Sequence, residues 1–389
     1  MKHQTLDSGA VNINNTSYWE SHLLNDIDGL VVGGGIVGLS CALALKTKQP
    51  EARIVVIDRG NWPCGASVKN AGFACFGSIS EILDDAKTHT DDQLIELIRK
   101  RADGLTRLKS IVTPEAMGFQ GHGGYEYFLT HQADLYERCF DQLHWANKLA
   151  QEALRTNEPV FAPIDNVFGF EGIMAQGILN RFEGQIHTGR LMEALSTKAA
   201  ALGIQFIGGV NAVAHERQDS RVLLHTQSHG VIETKKLFLA TNGYTQDYQS
   251  DLVTPARAQA LITQPIPGLK IKGTFHLDQG YYYFRNIDQR ILLGGGRNLD
   301  FEGEKTTLEQ TTLKIQNALE ELLQQVILPK QKVKIAQRWS GIMGVGAQKK
   351  PIIKQLEPRV YCGVRLGGMG VAIGAEVGQN LAELATVET

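Results

Sequence analysis

The chain has 389 residues, 39 of them Lys or Arg and 41 Asp or Glu, for a formal net charge of -2. That balance gives no basis for nucleic acid, or for a strongly charged membrane surface, as the main partner. Five cysteines, odd in number and without C-x-x-C spacing, argue against a disulfide framework and against a metal site, and fit a reducing compartment.

The length predicts two joined domains. No apolar run approaches the roughly 18–20 residues that span a bilayer. The N-terminal stretch lacks a secretory h-region, so a cytoplasmic location is expected. The 41 glycines cluster at Gly33–Gly35, Gly294–Gly296 and Gly367–Gly368. Such runs mark places where backbone approaches a ligand or another segment closely.

In chain order, residues 1–25 read as an arm, with Tyr18 and Trp19 as anchors. A buried strand over Gly29–Val32 leads through glycines into a helix over Ile36–Leu45. A second strand over Arg53–Asp58 completes a β-α-β unit. Helical spacing covers Ser80–Val112, and a further helix is predicted over His131–Leu154. A helix over Leu191–Leu202 stops at Gly203, followed by strands at Ile204–Ile207, Ala212–His215, Arg221–His225 and Lys236–Ala240. Beyond Pro255, strands rich in threonine and aromatics (Ala258–Thr263, Gly280–Arg285, Arg290–Gly294) predict an antiparallel sheet. A polar helix over Thr307–Val326 and a glycine-rich return with a closing helix over Gly378–Ala385 finish the chain. The fold class expected is α/β: a discontinuous Rossmann-type domain (26–80, 160–257 and 335–389) with an α+β substrate domain on an antiparallel sheet (81–159 and 258–334).

Gly33-Gly34-Gly35-Ile36-Val37-Gly38 matches G-x-G-x-x-G between a strand and a helix. One glycine permits the tight turn, one lets backbone reach a diphosphate, and one lets helix pack on strand. The helix N-terminus then presents N–H groups and the positive end of its dipole to phosphate. Asp58 closes the second strand twenty residues after Gly38, placed to hold a ribose hydroxyl and unsuited to a 2′-phosphate.

Downstream, Gly65-Ala66-Ser67-Val68-Lys69-Asn70-Ala71-Gly72 resembles the G-A-S-x-x-N-x-G segment of the D-amino-acid oxidase and glycine oxidase superfamily of flavoenzymes. Gly184-Gln185-Ile186-His187-Thr188 is similar to that family's helix entry, with Thr188 in place of proline. Phe238 to Tyr244, Arg338 to Gly344 and Gly367 to Val371 match in order. The Ser-Tyr-Trp arm is similar to the gamma-glutamylputrescine oxidase-like branch. The resemblance implies non-covalent FAD, with Cys362 offering no attachment, and hydride removal from the carbon bearing an amine of a small amine or amino acid. The imine would hydrolyse, and electrons would pass to oxygen or another acceptor. The cofactor-binding set so implied is Gly33, Gly35, Ile36, Val37, Gly38, Asp58, Arg59, Ala66, Ser67, Asn70, Ala71, Gly72, Val210, Asn242, Gly368, Met369 and Gly370.

Candidate catalytic residues are Tyr281, Tyr283 and Arg285, which share one face of a strand, together with His187 and Lys69. His187 is equally placed to cap the following helix. Two departures stand out. Gly341-Ile342-Met343-Gly344 carries no arginine where amino-acid-oxidising relatives clamp a carboxylate, leaving Arg285 or Arg365 as substitutes. Ile291 to Gly294 carries no lysine where sarcosine-oxidase relatives activate oxygen. Both departures keep open a catalytically impaired flavin-binding subunit; an NAD-dependent dehydrogenase is the other alternative.

Overall fold

The computed structural model describes residues 17–19, 24–227, 229–247 and 253–386. Tyr18 and Trp19, expected as anchors, are largely exposed and pack edge-on at 5.1 Å. The remainder of the expected arm up to residue 23 lies outside the described residues.

The strands are β1 (Ile27–Val32), β2 (Ile54–Ile57), β3 (Phe73–Ala74), β4 (Gly124–Glu126), β5 (Phe161–Asp165), β6 (Gln176–Asn180), β7 (Gly184–Gln185), β8 (Gln205–Ile207), β9 (Ala212–Arg217), β10 (Val222–Thr226), β11 (Val231–Leu239), β12 (Thr254–Thr263), β13 (Thr274–Leu277), β14 (Tyr282–Ile287), β15 (Arg290–Gly295), β16 (Ile335–Val345), β17 (Ile352–Glu357) and β18 (Val360–Val364). The helices are α1 (Ile36–Lys48), α2 (Ala66–Lys69), α3 (Ile79–Asp85), α4 (Asp91–Ile111), α5 (Ala133–Asp141), α6 (Leu143–Leu154), α7 (Thr188–Ala201), α8 (Leu313–Leu322) and α9 (Gly370–Leu384).

The first sheet runs β17-β18-β11-β1-β2-β8, with β10 and β9 added beside β11. Its centre, β18-β11-β1-β2-β8, is parallel throughout. Apolar residues on both faces of β1 and β2 explain this, since a parallel strand is covered above and below. Residues Ile36 to Leu45 of α1 are all buried, because the helix lies between the sheet and α9. Gly378 makes that packing possible: a Cβ there would stand 2.5 Å from the Val37 carbonyl oxygen.

The second sheet runs β16-β12-β15-β14-β13-β4-β6-β5, antiparallel except between β13 and β4. Alternation divides its faces. Phe275 and Phe284 stack at 4.6 Å on the face packed with Ile315 and Leu319 of α8. His276 and Tyr283, one residue out of phase, turn to the opposite face.

Several boundaries differ from the sequence reading. The Ser80–Val112 stretch forms two helices, each opened by a capping box, at Ser78 with Glu81 and at Thr90 with Gln93. The single helix expected over His131–Leu154 breaks at Gln142. The Thr307–Val326 helix starts only at Leu313, because the preceding residues are drawn into side-chain contacts with β12: Gln259 accepts from the Thr312 N–H at 2.9 Å. Strands β5, β6 and β16, within segments expected in the dinucleotide-binding part, run in the second sheet. Conversely α4 packs on α9, where a Cβ on Gly104 would meet the Ala372 carbonyl oxygen at 2.2 Å.

Candidate functional site

The glycine turn between β1 and α1 leaves no room for side chains. Gly33 has φ +107°, and a Cβ on it would stand 2.6 Å from the Ala240 carbonyl oxygen. A Cβ on Gly35 would meet Ser67 Oγ at 2.7 Å, and one on Gly38 would sit 1.8 Å from the Gly33 carbonyl oxygen. The N-cap of α1 is Gly35; it makes no side-chain cap bond, and the first turn holds no acid. The first turn of the helix therefore adds no acid of its own to compete for its positive end. Ser67 Oγ accepts from the Ile36 N–H at 3.0 Å, tying α2 to the same turn.

Asp58 is buried at the end of β2. Its Oδ2 accepts from the Gly34 N–H at 2.9 Å and its Oδ1 from the Gly60 N–H at 3.0 Å. A carboxylate has about four lone-pair sites, so capacity remains for ribose hydroxyls. The Val210 N–H donates to the Asp58 carbonyl oxygen at 2.9 Å, placing its backbone at this end of the crevice. The Arg59 guanidinium covers the Tyr244 ring at 3.8 Å.

A second open helix end faces the same edge of the sheet, since β1 and β18 are both parallel to β11 and each is followed by a helix. Met369 caps α9 without a side-chain bond and with no acid in the first turn. Gly367 has φ +58°, and a Cβ on Gly368 would meet nothing within 4 Å. Asn242 holds the approach to this loop, its Oδ1 accepting from the N–H groups of Arg365 at 3.1 Å and Leu366 at 3.3 Å.

Asn70 organises the segment between these two helix ends. Its Nδ2 donates to the Ser67 carbonyl at 2.8 Å, and its Oδ1 accepts from the Gly72 N–H at 2.8 Å. Thr188, the replacement for proline, donates its hydroxyl to Asn70 Oδ1 at 3.2 Å. Trp339, half-buried, donates its indole N–H to the Lys69 carbonyl at 2.9 Å.

The catalytic candidates separate. Tyr283 and Arg285 stand together against residues 71–73: Phe73 meets the Tyr283 ring edge-on at 5.7 Å, and Arg285 Nε donates to the Ala71 carbonyl. Burial pushes the Arg285 guanidinium down to about 10 and the Tyr283 phenol up to about 12. Tyr281 precedes β14, is partly exposed and packs against Phe301 at 5.8 Å. His187 caps α7, accepting at Nδ1 from the Arg190 N–H at 3.2 Å, the capping role its position before the helix also allows. Lys69 pairs with Glu309. Arg365 donates Nε to the Lys350 carbonyl at 3.0 Å and turns toward residues 346–350. Phe73, Tyr244 and Glu309 were not singled out from the sequence. Phe73 follows the glycine motif directly and Tyr244 closes the Phe238–Tyr244 segment, so both end stretches that carry the resemblance, whereas Glu309 lies in none.

Glycines without room for Cβ, two helix N-termini on one sheet edge whose N-cap side chains make no bond, and an acid at the end of β2 define a dinucleotide-binding protein of the Rossmann class, and its residues fit the diphosphate and adenosine ribose of FAD. The chain belongs to the DAO family of FAD dependent oxidoreductases, whose pattern it matches over residues 28–384. It is an FAD enzyme, which removes the NAD alternative.

Sarcosine oxidase subunit beta from Rhizobium meliloti (strain 1021) is 24% identical over 338 residues, covering 84% of this chain and 76% of that one. The structure of glycine oxidase from Geobacillus kaustophilus superposes with a TM-score of 0.73 at 16% identity, over 93% of this chain and 95% of that one. L-proline dehydrogenase from P. horikoshii gives a TM-score of 0.71 at 18% identity, over 93% and 94%. Among the described residues no group of His, Cys, Asp and Glu is arranged to hold a metal ion, and no helix is long and apolar enough to cross a membrane.

Proposed function

We propose that this protein oxidises a small amine or amino acid by removing hydride from the C–H next to the amine nitrogen, giving an imine that hydrolyses in water. The observation that carries the reading is the gathering of Phe73, Tyr283 and Arg285 against the Asn70–Gly72 segment. Non-covalently bound FAD supplies the two-electron acceptor. The cradle residues of the turn, Asp58 and Ser67 would hold its adenosine and diphosphate, with Gly368 to Gly370 toward the ring.

The protein's own part is binding, orientation and exclusion of water. An amine gives up hydride readily only when neutral, and the aromatic surroundings of Phe73 and Tyr283 disfavour its charged form. Arg285, buried with one N–H spent on Ala71, keeps further donors for a carboxylate or carbonyl oxygen. That division of labour suits a substrate whose acid group is held from β14 and not from the Gly341–Gly344 stretch of β16, which carries no arginine. The amines in the relatives' names, sarcosine, glycine and L-proline, each carry the acid group that Arg285 would hold.

The test is an anaerobic titration of the purified holoprotein with sarcosine, glycine, L-proline and a series of alkylamines and diamines. Bleaching of the flavin absorbance by members of this panel supports the reading; a spectrum unmoved by all of them favours a flavin-binding subunit without its own catalysis. Admitting air after bleaching then separates oxygen from another electron acceptor.

A further inference from the structure

The register of the second sheet lines up Gly294, Tyr283, His276 and Glu126 on successive strands β15, β14, β13 and β4. The row begins at the aromatic wall beside the Asn70–Gly72 segment. His276 meets Phe73 edge-on at 5.2 Å, and Phe73 meets Tyr283. It ends at a cavity lined by Ser78, Glu126, Asn180, Glu183 and His276. About 10 Å³ is open there to the centre of a water-sized sphere, room for a single water molecule.

The polar groups around that space are incompletely satisfied. Asn180 and His276 are 3% and 6% exposed, and Asn180 Nδ2 and His276 Nε2 have no hydrogen-bond partner among the described residues. A buried donor left in that condition costs about 1–3 kcal/mol. Glu183 Oε1 accepts from the N–H groups of Phe76 at 2.8 Å and Gly77 at 3.2 Å, and Glu126 accepts from the Ser80 N–H at 3.2 Å. Both carboxyl groups are thus fixed to the segment that follows Phe73.

We propose that this cavity is a built site for one water molecule, which bridges Asn180 and His276 to the acids Glu126 and Glu183 and so fixes Phe73 and Tyr283 as the inner wall of the flavin site. This rests on the reading that those two side chains face the flavin. A metal cation is disfavoured because Asn180 presents an N–H group to the space; its Oδ1 already accepts from the Phe182 N–H at 3.0 Å.

Charge in the neighbourhood makes the site sensitive to pH. Glu81 of α3 and Arg101 of α4 face it, Asp85 of α3 pairs with Lys349, and Cys75, Arg138 and Cys139 stand near. Against one buried Arg101 the cluster sets three carboxyl groups. Burial, with the neighbouring acids adding to it, pushes Glu126 up to about 7 and Glu183 up to about 8. Burial raises Glu81, but the neighbouring His276, the Ser78 N–H and Arg101 outweigh it and hold Glu81 below its ordinary value. Near neutrality Glu183 therefore keeps its proton, and raising the pH puts a second charge beside the water.

Three measurements on the FAD-loaded protein test this. A high-resolution crystal structure will show one water within hydrogen-bond distance of Asn180 Nδ2 and His276 Nε2; an empty cavity overturns the proposal. Infrared spectra near pH 6 will show protonated-carboxyl absorption from Glu126 and Glu183, and Glu183→Gln will remove the Glu183 component; an unchanged spectrum overturns it. Between about pH 6 and 9 the visible spectrum of the bound flavin will titrate in the wild type, and Glu183→Gln will lose the step that Glu183 contributes near pH 8 while keeping that of Glu126. A purely structural role for the cluster would leave the flavin spectrum flat in both proteins, and that result also overturns the positioning role. None of the three readouts needs a substrate, so an amine panel that fails to bleach the flavin leaves them decisive.

Discussion

The carboxylate of Glu309 stands 2.5 Å from the guanidinium of Arg59, and the same carboxylate also pairs with Lys69. Glu309 lies in the loop between β15 and α8, whereas Arg59 and Lys69 follow β2 and the Ser67 segment. One side chain of the second sheet's loop thus bridges two cations of the dinucleotide crevice, and Tyr244 donates its hydroxyl to it as well. Ion pairs this exposed are worth about 0–1 kcal/mol each, with salt reducing the gain further. Glu309→Ala is expected to loosen the loop and speed FAD release by roughly fivefold, measured as the recovery of free-flavin fluorescence on dilution.

Gly35→Ala places a Cβ 2.7 Å from Ser67 Oγ. Either Ser67 withdraws from the Ile36 N–H or the turn shifts, and both disturb the diphosphate cradle. FAD affinity is expected to fall at least about tenfold, the equivalent of roughly 1.4 kcal/mol, in a fluorescence-quenching titration of the apoprotein. Gly230→Ala, far in sequence from the cradle, serves as the control: its Cβ would meet nothing within 4 Å but its φ of +65° strains an alanine, so it lowers stability and leaves FAD affinity unchanged.

Arg257 on β12 and Glu304 form a bidentate pair at 2.7 and 2.9 Å with side chains 3% and 1% exposed. Removing one partner strands a buried charge, at a cost of about 3–5 kcal/mol. Glu304→Ala is therefore expected to lower the thermal midpoint more than the paired replacement Arg257→Met with Glu304→Leu, in scans at one fixed heating rate.

Arg285→Lys keeps a cation but loses the fork that serves Ala71 and a ligand together. Amine-driven flavin reduction is expected to slow by at least about tenfold while FAD remains bound, a loss near 1.4 kcal/mol in the barrier. Stopped-flow absorbance under anaerobic conditions reads both quantities.

Glu126 and Glu183 bind protons more tightly in the folded chain than their ordinary value of 4.5 allows, at about 7 and about 8. Their contribution to stability is complete below about pH 4.5 and is lost as pH rises through 7 and 8. Asp28 and Glu81, held below their ordinary values, act in the opposite sense and lose their contribution in acid. Thermal midpoints measured from about pH 5 to 8.5 should decline, and Glu183→Gln should flatten that decline.

The dinucleotide half was legible because its chemistry is local. A turn that excludes Cβ atoms, a helix start and a strand-end acid lie within 26 residues of one another, from Gly33 to Asp58, and each demand falls on one residue type. The substrate side was less legible because its groups meet through sheet register. Nothing near Glu126 in sequence announces that β13 will set His276 beside it, or that Phe73 will close on both Tyr283 and His276. Alternation on β14 correctly put Tyr283 and Arg285 on one face, yet it carried Tyr281 along, although that residue sits before the strand and leans on Phe301. The placement of β5, β6 and β16 was hidden for the same reason: a strand's own residues do not say which of two sheets it joins.

Helix α9 lies at the far end of the chain from α1, yet the two are packed so closely that Gly378 and Val37 tolerate no Cβ between them. During synthesis, then, α1 must wait for more than three hundred residues before its apolar cover emerges. The cofactor cradle is complete only once α9 has been made, so a ribosome-bound chain stopped before β18 will carry an uncovered, aggregation-prone helix and a half-built FAD site.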